Sequence, residues 1–203
     1  EVAEDQSRRA HRDGARRVEH PRAQAAAHRD HGRHHPVSDD PVQRDFDRPL
    51  NKRGRKAART IGREMRAQGL AFDAVIASPA ARVVETLTDV ADGYGESFAP
   101  EYEPRVYLAS ATTLLELVRH ADDSAERLMI VGHNPGLENL ALLLTREAPA
   151  NGLRRNLAEK YPTATLAEIA LPVDRWSEVE AGKGELSRFI RPRDVDPELG
   201  PED

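Results

Sequence analysis

The pattern of apolar positions changes abruptly near residue 45. Residues 1–45 contain no Ile, Leu, Met, Phe, Tyr or Trp, and the first large apolar side chain is Phe46. Arg, His, Ala, Asp and Glu fill the stretch without an apolar stripe. Such a segment buries too little surface to offset the entropy of ordering it. Residues 1–38 therefore read as a disordered or mistranslated Arg/His/Ala-rich tail, the second option resting on the abrupt change of composition.

Beyond Phe46 the apolar residues recur with recognisable periods. Asn51 opens a predicted helix over about 51–68, with Ala58, Ile61 and Met65 on one face and Gly69 at its end. Residues 72–77 are a short, mostly apolar run of strand type. Ser78 and Pro79 then read as the N-cap and first residue of a second helix. Val83, Val84, Leu87, Val90 and Ala91 supply its stripe, and Gly93 closes it. Residues 96–105 form a Glu- and Pro-rich loop, and a helix over about 110–121 carries Leu114, Leu115 and Val118. The Leu-Met-Ile-Val run at 128–131 suits a buried parallel strand and leads into an apolar helix at about 137–146. Residues 163–171 and 184–190 read as late strands, with Trp176 packing in the core or at an edge between them. Strand, turn and helix alternate. The order predicts an α/β domain over 39–194, with a parallel or mixed sheet covered by helices on both faces, and a C-terminal tail at 195–203.

Charge and composition narrow the partners. The chain is 38% hydrophobic and 32% charged, with a formal net charge of -5. Residues 1–45 hold nine Arg and nine acidic residues, so the net negative charge falls on the domain. A nucleic-acid-binding arm needs a surplus of cations, and none is present at neutral pH. No apolar run reaches the roughly 18 residues of a membrane span or resembles a signal peptide, so a cytoplasmic protein without a membrane partner is expected. With no Cys, thiolate chemistry is excluded. Six of the eight histidines lie in the first 45 residues, but at irregular spacing and without a scaffold, so no metal is expected. Lys52, Arg53, Arg55 and Lys56 sit where a helix N-terminus disfavours cations, and read as a solvated basic face.

Two strand-to-helix junctions could carry chemistry. His133 follows the apolar strand at 128–131, where open α/β sheets bind ligands. Helix N-terminal amides nearby would favour an anion such as phosphate. The residues alone leave open a structural role, in which His133 only caps a tight turn. Arg82 lies in the first turn of its helix but off the apolar stripe, so it projects from the carboxyl end of the preceding strand. A planar guanidinium grips two phosphoryl oxygens at once. Taken singly, Arg82 reads equally as an exposed surface residue.

The two junctions together resemble a known family. Ser-Pro-Ala-Ala-Arg-Val-Val-Glu-Thr at 78–86 resembles the second-arginine motif of the histidine phosphatase superfamily, and Val-Gly-His-Asn-Pro-Gly-Leu-Glu at 131–138 its second-histidine motif. The stretch at 45–54, Tyr107-Leu108-Ala109, Lys160-Tyr161-Pro162-Thr163-Ala164 and Phe189-Ile190-Arg191-Pro192-Arg193 are similar to the branch of SixA-type phosphohistidine phosphatases. The resemblance implies a three-layer, phosphoglycerate-mutase-like, mostly parallel sheet. It also implies hydrolysis through a phosphohistidine enzyme intermediate, without metal or cofactor, on a phosphorylated protein or a small phosphomonoester. Arg82 and His133 take the second-arginine and second-histidine roles.

In the family the nucleophile lies in an Arg-His-Gly or Arg-His-Ala motif at the end of the first, central strand. Arg33-His34-His35 stands close to that position, which makes His34 the candidate nucleophile and Arg33 a candidate phosphate ligand. His35 replaces the small residue, and residues 27–32 cannot form a buried strand, so the first central strand is expected to be absent. A catalytically impaired phospho-ligand binding module therefore stands as the alternative, beside a small-molecule phosphomonoesterase of the same superfamily. Glu101 and Glu103 lie in a plausible loop for a general acid, without an assignment.

Overall fold

The structure, a computed structural model, describes residues 41–146 and 152–200, with the side chains of residues 42 and 43 left aside. The segment read as a tail, residues 1–38, lies outside them. A short helix α1 (Pro41–Phe46) leads to α2 (Lys52–Ala67), β1 (Ala74–Ala77) and α3 (Ala81–Tyr94). Then come β2 (Glu101–Tyr102), α4 (Ala111–Arg119), β3 (Leu128–Val131) and α5 (Gly136–Leu144). Helix α6 (Leu153–Glu159), strands β4 (Leu166–Ala170) and β5 (Glu185–Ile190) and helix α7 (Pro192–Val195) complete the order.

Strand β1 pairs in parallel with β2 on one side and β3 on the other, with Ala74 opposite Leu128 and Ala77 opposite Val131. Successive side chains of a strand point to opposite faces. Val75, Ala77, Met129 and Val131 accordingly pack against α2 and α3, while Ile76, Leu128 and Ile130 pack against α4 and α5. The near-continuous apolar composition of β1 and β3 follows from this two-sided burial. Helices on both faces of a parallel sheet give the α/β architecture that the order of elements implied.

Helices α2 and α3 touch backbone to backbone. A Cβ on Gly62 would lie 2.1 Å from the Val90 carbonyl oxygen, and one on Gly93 would lie 2.2 Å from that of Arg59. Gly93 therefore sits inside α3 as a packing residue, not as the closing residue expected. The left-handed C-cap is Gly95, with φ 86°. Asp89, buried between the helices, is bridged by Arg55 and Arg59 at 3.3 and 2.7 Å.

The basic start of α2 is paired, not merely solvated. Arg55 reaches Glu85 at 2.8 Å, and Lys56 reaches Asp196 and Glu198 at 3.0 and 2.6 Å. Arg53 donates to the carbonyls of Leu199 and Gly200. Residues 195–200, set apart in the sequence as a tail, lie against α2 with Leu199 buried. Within the Glu- and Pro-rich loop, β2 adds a two-residue parallel pairing to β1.

Strands β4 and β5 form an antiparallel pair. Leu166 and Ile190 pack on the core of α2 and α3, and Ile169 on that of α4 and α5. The hairpin thus contributes side chains to both cores, as the parallel strands do. Between them runs a cavity of about 720 Å³, walled by residues 126–134 on the β3 side and 161–169 on the β4 side. Trp176 donates from its indole nitrogen to the Ala125 carbonyl at 2.8 Å and packs at the edge of the α4–α5 core. Among the described residues, no helix is long and apolar enough to cross a membrane.

Candidate functional site

Parallel pairing of β1 and β3 brings two loops to one rim. With Ala77 opposite Val131, both strands end at the same level, and the Ser78 amide donates to the Val131 carbonyl at 3.0 Å. The chain then turns into α3 on one side, carrying Arg82, and into α5 on the other, just after His133. Both side chains line the same cavity, together with Leu50, Leu108, Asn134 and Tyr161. The open carboxyl edge of such a sheet is where ligands bind in α/β folds.

Ser78 has a role that its position did not suggest. It does not cap α3, whose N-cap residue is Ala80. Instead its fully buried hydroxyl shares a 2.9 Å hydrogen bond with His133 Nε2 and accepts weakly from the Ala80 amide at 3.3 Å. The imidazole is 8% exposed, and the Tyr107 ring stands edge-on to it at 5.1 Å. Burial lowers the His133 pKa from its ordinary value, the Arg82 guanidinium lowers it further, and Asp45 partly opposes both.

Asp45, at the end of α1, closes the other side of the site. Its Oδ2 accepts from Arg82 Nη2 at 2.5 Å and from the Tyr107 hydroxyl at 3.0 Å. The Tyr107 bond and the Arg82 charge hold its carboxyl below the ordinary value, in that order, with burial opposing them. Phe46 packs edge-on to Tyr107 at 5.0 Å. The Leu50 amide donates to Glu85 of α3 at 2.6 Å, which fixes the far end of the 45–50 segment beside Arg82. Leu108, at the mouth, is 57% exposed and held at φ 50°, a left-handed conformation that side chains rarely adopt.

Of the four residues singled out from the sequence, Arg82 and His133 come together, while Arg33 and His34 lie outside the described residues. Glu101 and Glu103 instead line a separate depression with Arg105 and His120. Sequence reasoning passed over Ser78, Asp45 and Tyr107 as members of the site. Asp45 and Tyr107 do stand in two of the motif stretches, so placing those stretches around Arg82 was the available signal.

The family model for the histidine phosphatase superfamily (branch 1) matches residues 31–106, and the match includes Arg33, His34, Asp45 and Arg82. The uncharacterized protein Rv1276c of Mycobacterium tuberculosis is 33% identical over 150 residues, 73% of this chain and 92% of its own length. The chain belongs to the histidine phosphatase superfamily. A relative in Mycobacterium leprae is 31% identical over 149 residues, covering 73% of this chain and 89% of its own.

Solved structures agree. A candidate phosphohistidine phosphatase SixA from Nakamurella multipartitia superposes with a TM-score of 0.65 at 27% identity, over 73% of this chain and 87% of that one. One from Agrobacterium tumefaciens gives 0.58 at 26% identity, over 74% and 88%. The protein histidine phosphatase SixA complexed with tungstate shares the fold, with a TM-score of 0.60 at 19% identity over 75% and 89%. The fold is thus that of the SixA branch of the superfamily. Arg82 and His133 thus bring to one cavity an arginine fork and a buried imidazole, side chains of the kind that can hydrogen-bond an oxyanion.

Proposed function

We propose that the protein is a phosphohistidine phosphatase that removes phosphoryl groups from histidine side chains of proteins. The observation that carries this reading is the meeting of Arg82 and His133, 51 positions apart in the chain, at one cavity, near enough for the Arg82 charge to act on the imidazole. The kinship to SixA-type structures supports the choice of substrate class.

In this reading a neutral imidazole nitrogen of His34 attacks phosphorus. The N–P bond to the enzyme forms as the N–P bond to the substrate histidine breaks, and the leaving imidazole takes up a proton from solvent. Water then attacks the phosphoenzyme, releasing inorganic phosphate and restoring His34. Arg82 binds two of the nonbridging oxygens, and His133 bonds a third through whichever ring nitrogen Ser78 leaves available. Arg33 would add a second guanidinium. Other phosphomonoesters fit the same cradle, and a panel of small substrates measures that preference.

A binding module without turnover is the second reading, favoured by residues 27–32, which lack the apolar side chains of a buried strand. Acid-trapped labelling with a radioactive phosphodonor separates the two. The phosphatase reading expects acid-labile phosphohistidine that disappears in His34→Ala, and turnover reduced at least about 100-fold in Arg82→Ala and His133→Ala. Full turnover in either cradle variant overturns the assignment. Phosphate binding without any phosphoenzyme establishes the binding module instead.

A further inference from the structure

Asp45 already sits where a phosphoryl oxygen would be expected to bind. A single carboxylate oxygen takes the Arg82 guanidinium at 2.5 Å and the Tyr107 hydroxyl at 3.0 Å, partners 37 and 62 positions away in the chain. Those donors are the kind that an oxyanion seeks. Both members of the ion pair remain reachable by a solute, Arg82 being 29% and Asp45 36% exposed. The bond from Leu50 to Glu85 anchors the segment three residues along α3 from Arg82. A phosphate carries about 1.5 to 2 negative charges at neutral pH. It cannot take up Arg82 beside an ionised carboxylate without strong repulsion, so one anion displaces the other.

We propose that Asp45 is a carboxylate latch on the anion cradle, which must leave Arg82 before a phosphoryl group binds and which thereby weakens the hold of the site on phosphate. The inference rests on the phosphatase reading of Arg82 and His133 and adds to it a competitor for the anion built into the chain. Opening the latch costs the same free energy for every phosphorylated ligand. It therefore lowers the affinity for substrate and for free phosphate by the same factor and leaves their ratio unchanged. The latch also favours release of the product phosphate, because Asp45 returns to Arg82 as the anion departs.

Calorimetric titration of the full chain with inorganic phosphate tests the latch. Asp45→Asn and Asp45→Ala remove the competing charge, and each is expected to bind phosphate about 10-fold more tightly than the wild type. Thermal melting reports whether each variant is folded. A second measurement needs no variant: the Asp45 side-chain carboxyl 13C resonance of the wild type shifts as phosphate is added, because its partners change. Unchanged or weaker phosphate affinity in folded Asp45 variants overturns the latch while leaving the cradle standing. So does a carboxyl resonance that stays fixed while phosphate binds. If phosphate binds neither wild type nor variants, or binds Arg82→Ala equally well, the cradle itself fails and the latch with it.

Discussion

His133 shows how one residue's surroundings set its charge. The imidazole is buried and shares a hydrogen bond with Ser78, and burial and the Arg82 guanidinium lower its pKa from the ordinary 6.5 against a smaller opposing pull from Asp45. Both of the larger influences favour the neutral imidazole in the free protein. An anion bound to Arg82 neutralises the repelling charge and adds an attracting one, so the His133 pKa must rise on binding. NMR titration of its ring protons is expected to give a value below 6.5 without ligand and a higher one with tungstate. A lower value with tungstate would contradict the arrangement. Stability follows the same sign. Because the folded pKa is depressed, the contribution of neutral His133 is full above the unfolded value near 6.5 and is lost as pH falls through the folded value. Asp45, also depressed, adds a second loss as pH drops below 3.8. Chemical denaturation across this range should show falling stability towards acid, with the upper part of the decline absent in His133→Ala.

At the level of elements, the site depends on how closely α2 and α3 approach. Gly62 and Gly93 let the two backbones meet, and α3 in turn positions Arg82. Gly62→Ala gains about 1 kcal/mol of helix propensity, yet its Cβ would fall 2.1 Å from the Val90 carbonyl. The helices must separate, at a cost of about 3 kcal/mol from overpacking, so net destabilisation of about 2 kcal/mol is expected in urea unfolding. Stability equal to or above the wild type would show that the contact is not tight. The sequence announced both helices through their apolar stripes, and Asn51 caps α2 as expected, its side chain accepting from the Gly54 amide at 2.7 Å. It did not announce the glycine contact, because close approach depends on the partner surface and not on local period. Ser78 failed for a related reason. Its Ser-Pro context favours a helix cap, but a partner 55 positions away claims the hydroxyl.

For the whole molecule, the order of β1, α3, β3 and α5 was legible because buried strands and amphipathic helices leave distinct patterns in the chain. The rim that holds Arg82 and His133 followed from that order, since parallel neighbours end on the same side. Strand β2 was not legible: two exposed residues in a Glu- and Pro-rich stretch carry no strand period, and their strand form comes from pairing to β1. The docking of residues 195–200 on α2 was hidden as well, because it rests on ion pairs of Lys56, on hydrogen bonds from Arg53 to the backbone and on the buried side chain of Leu199. A crystal of the full chain soaked with tungstate tests the central geometry most directly, since tungsten is located by its own anomalous scattering. The account predicts one tetrahedral anion within hydrogen-bonding distance of both Arg82 and His133, with the Asp45 carboxylate displaced from Arg82. Tungstate bound elsewhere, or held by one of the two residues with the other turned away, would contradict it.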